Sequence, residues 1–258
     1  MQNNDTDQII YAIHQVCQTR QITCLHAIES GSRAWGFDSP DSDYDVRLLY
    51  CQQPDWYLSL FEGKDTFEFI KNDLLAVPFD IGGWDIKKAL QLIYKSNAVI
   101  FEWLQSPIIY EQRIDMITTL QTLSMDYFQP ITVFHHYRGM AKNANSGLNI
   151  KIPIRLKKFF YLLRSLLAAK WTLKTATPPP VIMTQMLELV ERNVQIEILA
   201  MIDIKCMQDE DYIHQLSPLM ISAIKELWDS IDNPTFAKAN ISNIAPLNDF
   251  YRTVLRSI

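Results

Sequence analysis

The chain has 258 residues and a mass of 30.0 kDa, which is enough for one large domain or two smaller domains with hydrophobic cores. Its composition, 48% hydrophobic and 21% charged, excludes intrinsic disorder. Four scattered cysteines without a CxxC pair favour neither a zinc site nor a disulfide framework. No apolar run is long enough for a membrane span, and the N-terminal sequence MQNNDTDQII lacks the pattern of a secretory signal. We therefore expect a cytoplasmic protein with no membrane partner, and the composition leaves its oligomeric state undetermined.

Glycine and charge are unevenly distributed along the chain. Seven residues are glycine, where average usage would give about 18, so a fold with many tight β-hairpins is disfavoured. Residues 127–187 contain no Asp or Glu but nine Lys and Arg, whereas the rest of the chain carries 29 acidic and 15 basic side chains. This contrast predicts a basic segment facing an acidic half, with an anionic ligand between them.

The first half of the chain predicts a helix followed by strands. Apolar residues at helical spacing, among them Ile9 and Ile13, predict a helix over 5–20. Segments rich in β-branched residues predict strands over 22–30, 44–51, 65–70 and 74–81. Pro78 indicates an edge or a bulge in the last strand, and we interpret Gly82-Gly83 as the turn that ends it.

The remainder is predicted to be helical nearly to the end. Asp85 is placed to cap a helix whose buried face would hold Ile86, Ala89, Leu90 and Ile93. Further helices are predicted near 97–105, 130–144, 152–174, 181–203, 211–229 and 246–257. The expected fold class is therefore α+β, with an α/β domain over residues 1–125 and an all-helical domain over 126–258.

Two carboxylates stand at the start of the predicted strand over 44–51. Asp43 and Asp45 are separated by one residue, so both project from one face of the strand, while Val46 and Leu48 anchor the other face in the core. Like charges this close repel each other, and a bound cation is the usual way to stabilise such a pair. Solvated acidic residues at a loop-to-strand junction are the alternative interpretation.

A Gly-Ser-Arg sequence ends the strand before this pair. Gly31 lets the backbone approach a ligand closely, and the amides that follow it, with the Ser32 hydroxyl, are suited to phosphate oxygens. Arg33 would add charge-assisted hydrogen bonds to the same phosphates. Alone, a Gly-Ser pair after a strand is a weak signal.

Together, these features resemble the nucleotidyltransferase signature of the DNA polymerase beta superfamily. The match is closest to the bacterial YcgL-like family of predicted nucleotidyltransferases, also called the RNA-repair-associated polymerase beta family. The blocks that carry the resemblance lie in order between about residues 28 and 180, and they are GSRAWGFDSPDSDYDVRLLY, DIGGWDIKKAL, SNAVIFEWLQSPIIY and LKKFFYLLRSLLAAKW. The resemblance implies a small mixed-sheet, polymerase-beta-like domain followed by helices.

The superfamily carries a third carboxylate on a later strand, between hydrophobic residues. Asp80 and Glu68 both fit this pattern, and we favour Asp80 because the Gly-Gly-Trp-Asp block follows it directly. The resemblance implies that Asp43, Asp45 and Asp80 are the catalytic residues and hold Mg²⁺, with Mn²⁺ as the alternative ion. Asp43 and Asp45 would bind it on the triphosphate of an NTP such as ATP, and Asp80 would help to activate the attacking hydroxyl as a general base.

The acid-free segment then acquires a role in nucleotide binding. Lys157, Tyr161 and Arg164 fall at i, i+4 and i+7 and form one helical stripe with two cations and an aromatic ring. Such a stripe could close over the triphosphate and stack on a base. A solvated basic face is the alternative interpretation for any single lysine of the segment.

Three functions follow from this reading. The first is transfer of a nucleoside monophosphate from an NTP to a hydroxyl acceptor with release of pyrophosphate, the acceptor being an RNA end as the name of the family suggests. The second is transfer of AMP or another nucleotide to a protein or a small molecule. The third is a catalytically silent member that binds a nucleotide or a partner, against which the intact Asp43 and Asp45 argue.

Overall fold

The computed structural model describes residues 2–61, 63–71, 75–236 and 243–257, so position 74 of the predicted strand over 74–81 lies outside the described residues. The chain forms two compact units. Unit 1 comprises Met1–Ala34, Asp43–Tyr127 and Ile241–Ile258, and unit 2 comprises Trp35–Ser42 and Phe128–Asn240. Among the described helices, none combines the length and the apolar character needed to cross a membrane.

Unit 1 is built on a mixed sheet. Its elements are α1 (Gln2–Arg20), β1 (Thr23–Glu29), β2 (Tyr44–Cys51), α3 (Pro54–Tyr57), β3 (Thr66–Lys71), β4 (Phe79–Asp85), α4 (Ile86–Tyr94), α5 (Ala98–Leu104), β5 (Ile109–Gln112), α6 (Ile114–Met125) and α11 (Ala245–Leu255). The short helix α2 (Gly31–Trp35) follows β1 and ends at the first residue of unit 2. In the described residues the five strands are ordered β3-β4-β2-β1-β5, with β2 and β4 parallel and the other neighbours antiparallel.

The core of unit 1 lies between α1 and one face of this sheet. Ile9, Ile13 and Val16 of α1 are buried in one cluster with Val46 and Leu48 of β2. The apolar periodicity that predicts the helix is therefore the face that packs on the sheet. Because alternate side chains of a strand point to opposite faces, the burial of Val46 and Leu48 leaves Asp45 and Arg47 on the face away from α1.

The strand β4 corrects the prediction of a turn at Gly82-Gly83. Both glycines lie inside the strand, which continues to Asp85. A Cβ on Gly83 would stand 3.0 Å from the carbonyl oxygen of Leu48, and one on Gly82 would stand 3.1 Å from that of Phe67. The glycines therefore serve close approach of neighbouring strands rather than a change of chain direction.

The helix after β4 begins as predicted. The Asp85 side chain accepts a hydrogen bond from the backbone N–H of Lys87, at 2.8 Å, and caps α4. Tyr57 donates a second hydrogen bond to the same carboxylate, at 2.6 Å. The predicted apolar face is buried as well, namely Ile86, Ala89, Leu90 and Ile93.

Unit 2 is mainly helical. Its elements are α7 (Pro130–Asn145), β6 (Ile154–Arg155), α8 (Leu156–Thr175), a 3₁₀ helix (Met183–Leu189), α9 (Arg192–Cys206), β7 (Ile213–His214) and α10 (Pro218–Ser230). The prediction of continuous helices over 181–203 and 211–229 is wrong in detail, since the first divides into the 3₁₀ helix and α9 and the second begins with β7. β5 and α6 were not predicted. The α+β fold class, with a helical region after the sheet, is confirmed.

The two units are not consecutive stretches of sequence. Helix α11, near the C-terminal end of the chain, packs against α4 and α6 of unit 1, and Tyr251 of α11 meets Tyr57 edge-on with ring centroids 5.8 Å apart. The loop Trp35–Ser42 belongs to unit 2, where Phe37 stacks on Phe160 at 5.1 Å. Both segments depart from the predicted ranges 1–125 and 126–258.

Candidate active site

Two carboxylates meet on the open face of the sheet in unit 1. Asp45 of β2 and Asp80 of β4 are direct partners in the parallel register. Their side chains therefore project from the same face of the sheet, on neighbouring strands that lie about 4.8 Å apart. The side chains of Asp45 and Asp80 are 28% and 18% exposed. The structure thus brings together two of the three carboxylates predicted to be catalytic.

The backbone at Gly31 lies directly against Asp45. Gly31 has a φ of +61°, and a Cβ at this position would overlap the carboxylate of Asp45. The preceding residue fixes the same approach, since the backbone N–H of Ser30 donates to the carbonyl oxygen of Asp45 at 2.8 Å. Glycine is therefore required at position 31 for both its backbone conformation and the absence of a side chain.

Arg47 places one guanidinium among the carboxylates. Its Nη2 lies 2.7 Å from Oδ2 of Asp80, 3.4 Å from Oδ1 of Asp45 and 3.6 Å from Oε1 of Glu68. The side chain is 15% exposed, and its Nη1 also donates to the carbonyl oxygens of Val46 and Asp80 at 3.0 and 3.3 Å. Sequence reasoning missed this residue, although its position two residues after Asp45 places it on the same face of β2.

Asp80 and Glu68 differ in their surroundings. One carboxylate oxygen of Asp80, Oδ1, is buried and has no hydrogen-bond partner within the described part of the chain. Glu68 lies on β3 opposite Gly82, and its side chain is 69% exposed. A buried oxygen that lacks a partner is costly unless a ligand supplies one. This contrast favours Asp80 over Glu68 as the third carboxylate.

The predicted phosphate-loop residues surround the start of β2. Arg33 donates from Nε to the carbonyl oxygen of Asp43 at 3.1 Å, and its guanidinium lies 4.0 Å above the Tyr44 ring. Ser32 is 5% exposed. The Gly-Ser-Arg sequence is thus held beside the carboxylate of Asp45 and the backbone of Asp43.

A buried acid, Glu29 of β1, binds the backbone of β2 at Asp45. Its Oε1 accepts the backbone N–H of Asp45 at 2.7 Å, and its Oε2 accepts the hydroxyl of Tyr110 at 2.7 Å. Burial raises the pKa of Glu29 to about 7, because the charged form loses its hydration. Sequence reasoning missed Glu29, because a polar residue at the end of an apolar strand is not by itself a functional signal.

The donor set fits a divalent cation that takes its remaining ligands from a substrate. In the described portion of the chain, no group of three or more His, Cys, Asp or Glu side chains is placed to hold a metal ion. Mg²⁺ is commonly bound by one or two carboxylates together with phosphate oxygens and water. Asp45, with the unpaired Oδ1 of its neighbour Asp80, meets that lower requirement.

The residues predicted to bind nucleotide in unit 2 lie in different surroundings. Lys157 is ion-paired with Glu210, and with Tyr161 it lines a cavity of about 500 Å³. Arg164 is 1% exposed, with its guanidinium 4.3 Å from the Trp35 ring centroid. Arg164 of the predicted stripe is therefore enclosed within unit 2, because helical spacing fixes a direction on α8 but does not reveal that Trp35 packs there.

The fold and the site define a class of protein. A mixed sheet carrying an Asp-x-Asp motif after a strand and Gly-Ser turn, with a third carboxylate on the neighbouring parallel strand, is the arrangement that the polymerase-beta-like resemblance implies. The family RlaP, described as the RNA repair pathway DNA polymerase beta family, matches residues 6–252. The chain belongs to this family, whose members are polymerase-beta-like nucleotidyltransferases.

Individual proteins resemble the chain to different degrees. YcgL of Bacillus subtilis (strain 168) is 36% identical over 228 residues, which is 85% of this chain and 86% of that protein. A crystal structure of a nucleotidyltransferase-like protein from Exiguobacterium sibiricum 255-15 aligns over 97% of this chain and 80% of that one, with 11% identity and a TM-score of 0.32.

Proposed function

We propose that this protein transfers a nucleoside monophosphate from an NTP to a hydroxyl acceptor and releases pyrophosphate. The observation that carries the proposal is the in-register pair of Asp45 and Asp80 beside the Gly31 backbone. In the reaction, the acceptor oxygen bonds to the α-phosphorus while the bond from that phosphorus to the α–β bridging oxygen breaks. The electron pair of that bond leaves with pyrophosphate.

Each residue of the site has a proposed task. Gly31, Ser32 and Arg33 would orient the triphosphate next to Asp43 and Asp45. Asp80, whose Oδ1 lacks a hydrogen-bond partner among the described residues, would accept the proton of the attacking hydroxyl. Asp45 and Asp80 would hold a divalent ion, Mg²⁺ or alternatively Mn²⁺, together with substrate phosphates, and the ion would supply neutralisation of phosphate charge. Asp43 stays a predicted ligand of that ion. Lys157, Tyr161 and Arg164 stay a prediction for nucleotide contact.

Arg47 would keep Asp80 in place. Its guanidinium binds Oδ2 of Asp80 and leaves the buried Oδ1 without a hydrogen-bond partner among the described residues. An arginine cannot lose its proton near neutral pH, so it is a fixed positive charge that offsets the repulsion between Asp45 and Asp80. We therefore assign Arg47 a positioning role in the proposed reaction.

The test follows labelled nucleotide into three acceptor pools. Each of the four NTPs, labelled at the α-phosphate, is incubated with the protein and Mg²⁺ in the presence of RNA, protein or small molecules. We expect label in the RNA pool, in line with the description of the family. Label in the protein pool would instead support nucleotidylation of a protein, and tight NTP binding without transfer would support a silent binder.

Two variants separate the carboxylate site from general damage. Asp43→Asn combined with Asp45→Asn should abolish label transfer. Asp41→Asn is the matched control, because Asp41 lies in the same loop and accepts the backbone N–H of Glu210 at 2.9 Å, a bond that Asn preserves. Transfer that survives in the double variant would overturn the proposed site.

A further inference from the structure

A cleft opens beside the carboxylates on the same face of the sheet. It has a volume of about 840 Å³ and lies within unit 1. Arg47 and Glu68 line its end nearest the carboxylates, and Gly82 and Trp84 of β4 continue it along the strand. Arg47 contacts Asp80 at 2.7 Å, and Gly82 lies two residues beyond Asp80, about 6.6 Å along β4, so the cleft extends along the strand from the third carboxylate.

The cleft contains an aromatic platform. Trp84 of β4 and Trp103 of α5 both line it, and their rings stack with centroids 3.7 Å apart and planes inclined by 18°. Trp103 is 5% exposed, whereas Trp84 is only partly buried. One ring is therefore fixed in the core and supports a second ring that remains accessible, which is the arrangement of a base-stacking surface.

The charges of the cleft suit a phosphate backbone. Arg47 is committed to Asp80 and Asp45, and Glu68 faces it at 3.6 Å. Two further cations line the cleft, Lys64 before β3 and Arg20 at the end of α1, and both are exposed. The guanidinium of Arg20 lies 4.5 Å above the ring of Phe67, which packs against the α1 side of the sheet, so Lys64 is the cation suited to a phosphate on the Trp84 face.

We propose that this cleft binds the unpaired terminal nucleotide of a single-stranded nucleic acid, with its base stacked on Trp84 and a phosphate facing Lys64. The proposal rests on the proposed function, since it places the hydroxyl of that nucleotide next to the carboxylates that would activate it. A single strand is favoured over a duplex because a base must leave its neighbours to stack on a side chain.

The experiment measures binding without the reaction. A single-stranded oligoribonucleotide of about twelve nucleotides, labelled with fluorescein at its 5′ end, is titrated with the full chain in EDTA and without NTP, and anisotropy is recorded. Trp84→Leu should weaken binding by about tenfold, since stacking on one aromatic side chain contributes about 1–3 kcal/mol per base. Trp228→Leu is the matched control, a partly buried tryptophan of α10 in unit 2.

A change in the ligand tests the same contact without altering Trp84. An oligonucleotide whose 3′-terminal residue is abasic should bind the wild type about tenfold more weakly and should bind Trp84→Leu no more weakly than the intact oligonucleotide does. Lys64→Gln should reduce the slope of log affinity against log salt by about 0.7. An oligodeoxyribonucleotide of the same sequence distinguishes RNA from DNA as the source of the strand.

Several outcomes would overturn the proposal. One is equal affinity of wild type and Trp84→Leu for the intact strand, and another is an abasic effect that persists in Trp84→Leu. If the oligonucleotide does not bind while label transfer proceeds to the protein pool, the cleft assignment fails and the transfer activity stands. Conversely, Asp45→Asn should stop transfer without weakening oligonucleotide binding, so binding without transfer would leave the cleft assignment in place.

Discussion

The two units place their charged residues in opposite ways. On the sheet face of unit 1, carboxylates are concentrated and Arg47 is the cation within contact of Asp45, Asp80 and Glu68. On α8 of unit 2, cations are concentrated, and Glu210 is the acid that pairs with Lys157. In both places a residue of one charge is ion-paired within a group of the opposite sign.

The two units differ in the surroundings of their buried charged groups. Asp80 retains a buried carboxylate oxygen with no hydrogen-bond partner in the described structure, so its position favours binding of a further group. Arg164 is instead enclosed against Trp35, where it contributes to packing. A run of like charges in a sequence therefore does not by itself predict a ligand site, because the fold decides which of those charges are enclosed.

The largest effect is expected when the carboxylate of Asp80 in unit 1 is removed. Asp80→Asn should lower the rate of nucleotidyl transfer by about a hundredfold or more, because it removes the proposed proton acceptor. Glu68→Gln should change the rate by less than about twofold, since an exposed carboxylate near Arg47 contributes little. Single-turnover transfer of α-labelled NTP measures both, and the reverse ranking would assign the third carboxylate to Glu68.

A large effect on stability is expected in unit 2. Arg164→Ala should lower the free energy of unfolding by about 4 kcal/mol, because it removes a desolvated cation–π contact with Trp35 and leaves a cavity. Lys158→Ala, an exposed position on the same helix, should change it by less than about 0.5 kcal/mol. Denaturant unfolding followed by circular dichroism gives both values. A stable Arg164→Ala protein with impaired NTP binding would support the prediction that Arg164 contacts the nucleotide.

A pH-dependent effect is expected from Glu29. Its folded-state pKa is raised by burial from 4.5 to about 7, so the folded chain keeps a proton that the unfolded chain releases. The stability that Glu29 contributes is therefore full below pH 4.5 and is lost as the pH rises to 7, by up to about 3 kcal/mol at about 1.4 kcal/mol per pKa unit.

The comparison with Glu29→Gln isolates this effect. His26 is buried with its pKa lowered to about 4, and its contribution grows over an overlapping pH range, so the wild-type profile alone would combine the two. The difference in free energy of unfolding between wild type and Glu29→Gln should shift in favour of the variant as the pH rises from 4.5 to 7. A difference that stays constant with pH would contradict the raised pKa.

The smallest effect is expected at the ion pair of unit 2. Lys157 and Glu210 are 35% and 20% exposed, and such partly exposed pairs contribute about 1 kcal/mol or less. A double-mutant cycle with Lys157→Gln and Glu210→Gln should give a coupling energy in that range. A value of several kcal/mol would indicate that this pair organises unit 2 as strongly as Arg47 organises the sheet face.

Local sequence patterns predicted several elements closely. β2 occupies the predicted residues Tyr44–Cys51, and α4 has the predicted cap at Asp85. These predictions worked because alternation and capping depend on neighbours within a few residues. The shift of β4 past Gly82-Gly83 was not predictable in this way, since the requirement for glycine comes from Leu48 and Phe67 on the adjacent strands.

Some residues of the candidate site were likewise predictable from local sequence, and others were not. The Asp-x-Asp motif and the Gly-Ser turn are readable because they are short and local. Arg47 was missed, since a single arginine in a strand acquires meaning only when a parallel neighbour brings Asp80 within 2.7 Å of it. Glu29 was missed for the same reason, because its two hydrogen-bond partners, Asp45 and Tyr110, come from β2 and β5.

By itself, the sequence determined the α+β class, the face of β2 that carries Asp45 and the family to which the chain belongs. The tertiary structure decided which charges became available, because burial and pairing depend on residues distant in the chain. It joined α11 to unit 1 and Trp35–Ser42 to unit 2, enclosed Arg164 against Trp35 and set Arg47 between Asp45 and Asp80. Apolar and aromatic packing places α11 and Trp35–Ser42, whereas the cost of burying an unpaired charge makes the position of Arg47 specific.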